Sequence, residues 1–394
     1  MICLIFVLFS LSSVVLCQTH FTLPENVWRI SFHRSISTDT WVGKGGEKGF
    51  PDEFFTVSAP FYGADSSVIA GYITNPQRER VRREVSFALE HGIARRLTFL
   101  MEIPYFTTYS VSNTWSWKET GQDSLTADQI VDSLMNFYHP DRSTSGLGDI
   151  RWALIVLLYG SPAWSGESIL SVYGSVGLEA STGRTIGRFD PSDLDSTGRP
   201  SQFNQLSLGK GVTQWQFSLF GEFYRQIVRR LTRINWQIQY WLNIEDNFWT
   251  RVTPRETHTL DHDAILGRLG RVYRHKPGDV LSATIFGFLE IVPDRLSVSA
   301  GQSWRFKLRD RYNSGSDDWD EWMEGETEER LGYSTRTSSL VQSASILFHN
   351  YHPLKKIGPI PFEVEARVDV PFLTRFTWST LAYSLSISIY HQMW

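Results

Sequence analysis

Near the C-terminus Phe362, Val364, Ala366, Val368, Val370 and Phe372 alternate with Glu363, Glu365, Arg367 and Asp369. A β-strand sends successive side chains to opposite faces, so this stretch has one apolar face and one bearing four consecutive charges. The same period of two recurs upstream. Trp215, Phe217 and Leu219 oppose Gln214, Gln216 and Ser218, while Ile234, Trp236, Ile238, Tyr240 and Leu242 oppose Arg233, Asn235, Gln237, Gln239 and Asn243. A row of Gln, Asn and Arg in a dry core needs a partner for every polar atom, whereas facing water it costs little. The pattern predicts an all-β chain whose sheet closes into a barrel, apolar towards lipid and polar towards a lumen.

The predicted strands are 27–36, 85–92, a run from Leu97 to Ile103, 147–159, 166–180, 213–224, 231–244, 264–274, 279–292, 295–309, 338–349, 361–372 and 380–392. These number thirteen, and bacterial single-chain barrels have even counts, so the expectation is an antiparallel transmembrane β-barrel of 12–14 strands. Short links fall at 91–95, 160–166, 225–230 and 293–295; long ones fall at 37–82, 107–146, 181–212, 247–263 and 310–337. Short periplasmic turns facing long external loops are the habit of such barrels. That alternation breaks between 263 and 309, where two short links follow one another. One short loop helix is expected at 124–138, with Ser124 or Thr126 as cap and Ile130, Leu134 and Met135 at helical spacing. Residues 317–329 hold eight acidic side chains without the spacing of a calcium loop, and read as a solvated loop.

Residues 2–16 are an unbroken run of apolar and small residues ending near Cys17-Gln18. They read as a signal peptide, 1–17, ahead of a single barrel domain, 18–394, although no Lys or Arg precedes the run. A lipidated Cys17 is the second reading, against which stands Leu16 where a small residue is wanted. Beyond that segment the longest apolar run is Trp152–Tyr159, far short of the ~20 residues of a membrane helix.

Composition adds two points. The chain of 394 residues carries 15 Trp, 15 Tyr and 25 Phe, and Trp and Tyr collect at membrane–water interfaces. Its formal charge of −4 gives no basic surface for nucleic acid. Cys3 and Cys17 are the only cysteines, so the mature chain has no disulfide or thiolate metal site.

Candidate chemistry is sparse. No nucleophile elbow, P-loop, His-Glu-x-x-His or dinucleotide fingerprint occurs, and neither an enzyme nor a cofactor is expected. His258 and His262, flanked by Asp261 and Asp263, are spaced like metal ligands but lie in a long connection without an apolar helical stripe. The informative residues are those predicted to face the lumen. Arg305, Lys307 and Arg309 form a basic row; Glu363, Glu365, Arg367 and Asp369 form a largely acidic row two strands later; Arg233 stands apart. Two readings remain open. Opposed rows set up a transverse field that orients solutes, or they pair with each other and stiffen a narrow barrel.

Glu90-His-Gly-Ile-Ala-Arg-Arg-Leu-Thr-Phe-Leu-Met-Glu-Ile-Pro-Tyr105, followed by Gly146-Leu-Gly-Asp-Ile-Arg151, resembles the outer-membrane barrels grouped with phenol-degradation-pathway transporters. Leu289-Glu-Ile-Val-Pro-Asp-Arg-Leu296 repeats the hairpin motif. Residues 128–139 are similar to a related barrel family of unknown function. The resemblance implies a porin-like or hydrophobic-solute transporter in the outer membrane of a diderm bacterium, with "Gly-Leu-Gly-Asp" opening a strand. It implies no binding residues. The expected partners are outer-membrane lipid, the barrel-assembly machinery and a small solute. The alternatives are a plugged structural or adhesive barrel, a rim-sited lipase or protease, and a secreted soluble β-protein. Trp394 supplies the terminal aromatic of an assembly signal but lies out of phase with Leu381, Tyr383, Leu385, Ile387 and Ile389, and a bulge near Tyr390 would repair the register.

Overall fold

The structure is a computed structural model. It describes residues 21–43, 61–62, 68–69, 71–119, 141–165, 168–190, 192–196, 201–227, 230–250, 262–293, 295–325, 333–350 and 360–392. The expected signal peptide, the helix at 124–138, His258 and Trp394 all lie outside the described residues.

The strands in chain order are β1 (Val27–Val42), β2 (Phe61–Tyr62), β3 (Val68–Ile69), β4 (Gly71–Ala94), β5 (Leu97–Glu119), β6 (Arg142–Leu147), β7 (Ile150–Tyr159), β8 (Leu170–Ala180) and β9 (Gln214–Ile227). They continue with β10 (Arg230–Asn243), β11 (Asp246–Trp249), β12 (Val272–Lys276), β13 (Val280–Val292), β14 (Leu296–Lys307), β15 (Arg311–Asn313), β16 (Thr337–His349), β17 (Phe362–Arg375) and β18 (Thr377–Gln392). Thirteen of these make one antiparallel sheet, which closes through the β4–β5 and β1–β18 pairings. β6 and β7 follow one another along β5, so they share a position and the barrel has twelve staves.

Alternation sorts the two faces. On β18 Leu381, Tyr383, Leu385, Ile387 and Ile389 point outward and are exposed, while Ser384, Ser386 and Ser388 line the interior. On β7 the outward set is Leu154, Val156 and Leu158, on β10 Ile234 and Ile238, on β13 Leu281, Ile285 and Leu289. Keeping one such side chain in water forgoes about 1.5–3 kcal/mol. Summed round the barrel the deficit reaches tens of kcal/mol, which only lipid removes. Trp215, Tyr240, Trp304 and Phe306 stand near one end of neighbouring staves and supply part of an interfacial girdle. No helix among the described residues is long and apolar enough to cross a membrane. The strands do so instead.

The chain termini of β1 and β18 and the turns at 95–96, 228–229 and 293–295 share one end, here the inner or periplasmic end. Long connections rise from the other. β4 and β5 continue well beyond the expected 85–92 and 97–103, into stretches that sequence alone places in external loops. Wall that stands clear of lipid has water on both faces and so loses its apolar period. The β17–β18 turn at the outer end is one residue, Phe376, with φ +53°.

Residues 264–274 are not a barrel strand. Their first part is helix α1 (His262–Leu269), with Ile265 and Leu269 buried one turn apart and Gly270 at φ +81° ending it. The rest is β12, which joins β11 and β15 in a small separate sheet. Removing this strand from thirteen gives the twelve seen, and the short link before β13 merges with the 247–263 connection into one long loop, which restores the alternation with the short 293–295 turn. Residues 317–324 of the expected solvated loop form helix α2 (Asp317–Glu324). Ser316 caps it by accepting the Trp319 N–H at 3.4 Å, and Trp319 and Trp322 are buried at helical spacing. Acidic side chains in its first turn suit the positive end of the helix dipole. No bulge at Tyr390 repairs the phase of the C-terminal residues: β1 and β18 stay in unbroken register from Val27–Gln392 to Val42–Thr377.

α1, α2 and the small sheet share a core of Val212, Phe248, Ile265, Leu269, Tyr273 and Trp319, with His275 stacked on Tyr312 at 4.3 Å. Asp310 ties this cap to the barrel. It accepts from the Gly278 N–H at 2.7 Å and from Lys307 at 2.5 Å, with His275 at 3.4 Å. Burial raises the Asp310 carboxyl, but the His275, Lys307 and Gly278 contacts outweigh it and hold it below its ordinary value. A depressed carboxyl stabilises the fold above its unfolded pKa and loses that contribution as pH falls past it. Amide exchange across 272–325, corrected for intrinsic rate, should therefore quicken below about pH 4. In Asp310→Asn it should already be fast at neutral pH; unchanged exchange there would release Asp310 from this role.

Candidate functional site

The lumen divides into a filled inner part and an open outer part. Near the inner end every stave sends a buried side chain inward. Arg29, Glu90, Thr98, Leu157, Tyr173 and Glu222 come from one half of the wall, and Arg233, Phe288, Ser299, Leu347, Glu363 and Ser388 from the other. The charges among them are held by partners. Arg29 donates through Nε and Nη2 to the two Glu90 oxygens at 2.9 and 2.6 Å, and through Nη1 to Tyr390 at 3.3 Å. Glu222 accepts from Tyr173 at 2.8 Å and Tyr224 at 2.7 Å. The Arg233 guanidinium lies 4.0 Å from the Phe288 ring centre.

The segment before β1 completes this filling. Phe21 packs edge-on against Tyr173 and Phe220, at 5.5 and 4.6 Å, within a cluster that includes Ile155 and Leu157. Leu23, 1 % exposed, donates its N–H to Thr98 Oγ1 at 2.9 Å. Gly92 permits the approach, since a Cβ there would stand 1.9 Å from the Pro24 carbonyl oxygen.

Above this floor lies a cavity of about 630 Å³. Charged side chains line it, among them Arg80, Arg82, Glu84, Glu102, Arg151, Glu179 and Lys210. It reaches down beside β17, β18 and β1 past Ser384 and Ser386 to Glu363 and Ser388, where small hydroxyl side chains leave room that aromatic ones fill elsewhere. Several of its charges are paired: Arg151 with Glu102 and Arg80 and Arg82 with Asp39 across adjacent staves, at 3.2 Å for Arg82, and Lys210 of the 181–213 connection with Glu179.

The Gly146–Asp149 motif builds one wall. Gly146 at φ +144° breaks the stave between β6 and β7, and the Gly148 N–H donates to the Pro104 carbonyl at 2.9 Å. The two halves of the motif that carries the family resemblance are therefore in contact, and β7 starts at Ile150 as that resemblance implies. Asp149 then accepts from the Gly183 and Lys210 N–H groups at 2.9 and 2.6 Å. These bonds draw the 181–213 connection inward, so that Leu208, Gly209 and Lys210 line the cavity. Its length alone reads as an external loop; Asp149 and Gly209, whose Cβ would strike that carboxylate at 2.4 Å, are the signal for its inward fold.

Of the eight lumen residues expected from sequence, Arg305, Lys307, Glu363, Glu365, Arg367 and Asp369 line the cavity together. Arg233 belongs to the filled floor. Arg309 leaves the lumen altogether, because β14 ends at Lys307 and the chain turns into the cap, where Arg309 meets Glu324 at 3.3 Å and donates to the Gly325 carbonyl at 2.6 Å. The rows do not oppose each other. β14 and β17 are separated by β16 alone, about 10 Å apart on one wall, and register sets Asp369 level with Gly301 rather than with Arg305. Pairing is local instead: Arg367 with Asp369 at 2.8 Å and Lys307 with Asp310. A transverse field between the rows is excluded by this geometry. Sequence reasoning missed Arg80 and Arg82, which share the even-numbered phase of Ser86 and Ala88 but stand in a charge-rich stretch read as loop. No group of three potential metal ligands occurs among the described residues; His262 opens α1.

A closed antiparallel barrel with an apolar exterior and a polar interior defines the fold of the outer-membrane β-barrels. An outer-membrane channel from Pseudomonas putida F1 has this fold: its structure matches with a TM-score of 0.52 at 12% identity, over 94% of this chain and 97% of that one. The translocator domain of the autotransporter NalP from Neisseria meningitidis gives 0.43 at 9% identity over 93% and 89%. A FadL homologue from Pseudomonas aeruginosa gives 0.36 at 9% identity over 93% and 90%. No family model and no curated protein matches the chain. The expected resemblance to outer-membrane barrels thus holds at the level of fold.

Breaking the buried Arg29–Glu90 pair leaves a charge in the floor without its counter-ion, at a cost of about 3–5 kcal/mol. Glu90→Ala should unfold at clearly lower urea, read from the heat-modifiable gel band, and the double variant Arg29→Met/Glu90→Leu should recover most of the loss. Equal midpoints for wild type and Glu90→Ala would show the pair to be dispensable.

Proposed function

We propose that the chain is a channel that admits small polar or charged solutes to the outer vestibule and passes them inward along the serine-lined cleft between β17, β18 and β1. The observation that carries this reading is the 630 Å³ cavity itself, which follows that wall to Glu363 and Ser388 while the rest of the inner lumen is packed. A cleft lined by serines and charged side chains suits hydrated or ionic cargo. The floor of buried side chains and the inserted Phe21–Pro24 segment favour a second reading, a plugged barrel whose outer loops and vestibule bind without conducting.

Planar-bilayer recording of the purified chain separates the two. Discrete, reproducible conductance steps are expected from the channel. Under a salt gradient, Arg305→Gln/Lys307→Gln should shift the reversal potential towards cation preference, and Arg309→Gln should not, since Arg309 lies in the cap. A folded, heat-modifiable but silent protein selects the plugged barrel.

A further inference from the structure

The outside of the barrel carries two arginines on a wall that is otherwise apolar. On β1 the outward positions are Trp28, Ile30, Phe32, Arg34, Ile36 and Thr38, since Arg29, Ser31, His33, Ser35 and Ser37 turn into the lumen. On β4 they include Phe87, Val85, Arg83 and Val81, since Ser86, Glu84 and Arg82 point inward. Arg34 and Arg83 are both exposed, and neither side chain makes an ion pair or hydrogen bond among the described residues. The outward rows of other staves, at alternate positions over 215–223, 234–242, 281–289 and 381–389, hold no charge at all. An arginine facing acyl chains is tolerated only where its long stem carries the head to the headgroup layer.

Register places both at the outer boundary of the lipid. Tyr383, Ile36, Arg83 and Thr108 stand side by side on β18, β1, β4 and β5, and Leu385, Arg34, Val85 and Tyr105 form the next outward row below them. Tyr383 and Tyr105 are exposed, and such rings mark a membrane–water interface. At the other end of β18, His391 pairs with Trp28, whose ring stacks on His91 at 4.1 Å and marks the inner interface. The tilted strand between Tyr383 and His391 spans roughly 20 Å, close to the height of an outer-membrane apolar band. Past Arg83 the same face turns to Thr38, Thr40, Glu79 and Ser110, with Val81 and Leu381 among them. Glu79, the nearest outward carboxylate of β4, stands about 13 Å further along the strand.

We infer that Arg34 and Arg83 form a binding site on the outer wall for a phosphate-bearing lipid of the surrounding outer leaflet. Diagonal neighbours on adjacent antiparallel strands lie about 7–8 Å apart, so two guanidiniums can hold one phosphate between them. Their forked donors match phosphate geometry, and the bonds are charge-assisted. The acyl chains then run inward over Phe32, Val85 and Leu385, all exposed on the same face. A neutral headgroup gains nothing from the arginines, and a soluble phosphate gains nothing from the apolar surface below them. A second copy of the chain, related by a two-fold axis, would set the two arginines against the same two arginines and be repelled. The site lies outside the lumen, so it is independent of whether the barrel conducts or is plugged.

Native mass spectrometry of the folded full chain in detergent, without divalent cations, tests the site with lipid A, dilauroyl phosphatidic acid, dilauroylglycerol and inorganic phosphate. Lipid A and phosphatidic acid should be retained as one-to-one adducts. Dilauroylglycerol, with the same chains and no phosphate, should be retained at least about tenfold less, and excess inorganic phosphate should displace neither lipid. Arg34→Gln and Arg83→Gln should each weaken lipid A about tenfold, since a hydrogen bond to a charged group is lost. Replacing both by lysine should keep most of the retention. Arg225→Gln, which removes an exposed outward charge at the inner end of β9, should leave lipid A unchanged. Each variant is compared only in its folded, heat-modifiable form. In the wild type, added salt should weaken phosphatidic acid and spare dilauroylglycerol, a comparison that needs no variant. Equal retention of those two lipids, lipid A unaffected by the double glutamine change, or an equal loss in Arg225→Gln would overturn the proposal. Displacement by inorganic phosphate would overturn it too, since the arginines would then serve a soluble anion.

Discussion

In a bilayer an unpaired backbone N–H or C=O finds no water, and the only strand arrangement that leaves none unpaired is a sheet closed on itself. Everything else in this molecule follows from that closure. The β1–β18 pairing runs through sixteen consecutive residue pairs without a register shift, so the first and last staves seal as firmly as any pair between them. Because the ladder is closed, no stave can slip by one residue without turning its whole apolar row into the lumen. The phase of each strand is fixed by its neighbours, and a polar interior is imposed on all twelve at once.

A twelve-stave lumen is too wide for alternate side chains to fill evenly, and the chain treats its two ends differently. Towards the inner end large residues and an inserted peptide close the space, and ionic groups survive there because each is bonded: Arg29 to Glu90, Glu222 to two tyrosines. Burial of such groups adds little net stability when they are well matched, but removing one partner is expensive, so the floor is defined by mutual dependence. Towards the outer end the spaces are bridged by ion pairs between adjacent staves, and along β18 the run of Ser384, Ser386 and Ser388 leaves the wall thin. The open path follows the smallest side chains.

Where lipid lies on one face and water on the other, the sequence is legible. The period of two in β9, β10, β13, β17 and β18 predicts those strands to within a few residues, because each second position is under a different solvent constraint. Outside the membrane that constraint vanishes. The outer part of β4 has no apolar face to announce it, and the Arg78–Glu84 stretch looks like a charged loop although Arg80, Arg82 and Glu84 keep the inward phase of Ser86. In the cap, Ile265 and Leu269 satisfy a helix as readily as a strand, and only the company of Trp319 and Tyr273 settles which is buried. Arg309 shows the opposite failure. It keeps the period of two but stands two residues past the end of β14 and belongs to the cap.

These misreadings bear on how charge is disposed along the lumen. Read as opposed rows, the basic and acidic residues make a field across the lumen; placed by register, they make one along it. Arg80, Arg82 and Arg305 lie towards the outer mouth, and Glu363 and Glu365 towards the inner end of β17. A narrow, low-dielectric passage strengthens such an axial gradient over what the same charges exert in bulk water. An anion drawn to the outer arginines then faces carboxylates further in, while a cation meets the reverse order. In the channel reading, an ion therefore meets opposite charge requirements at the mouth and along the cleft, and the residues that govern entry are not those that govern passage.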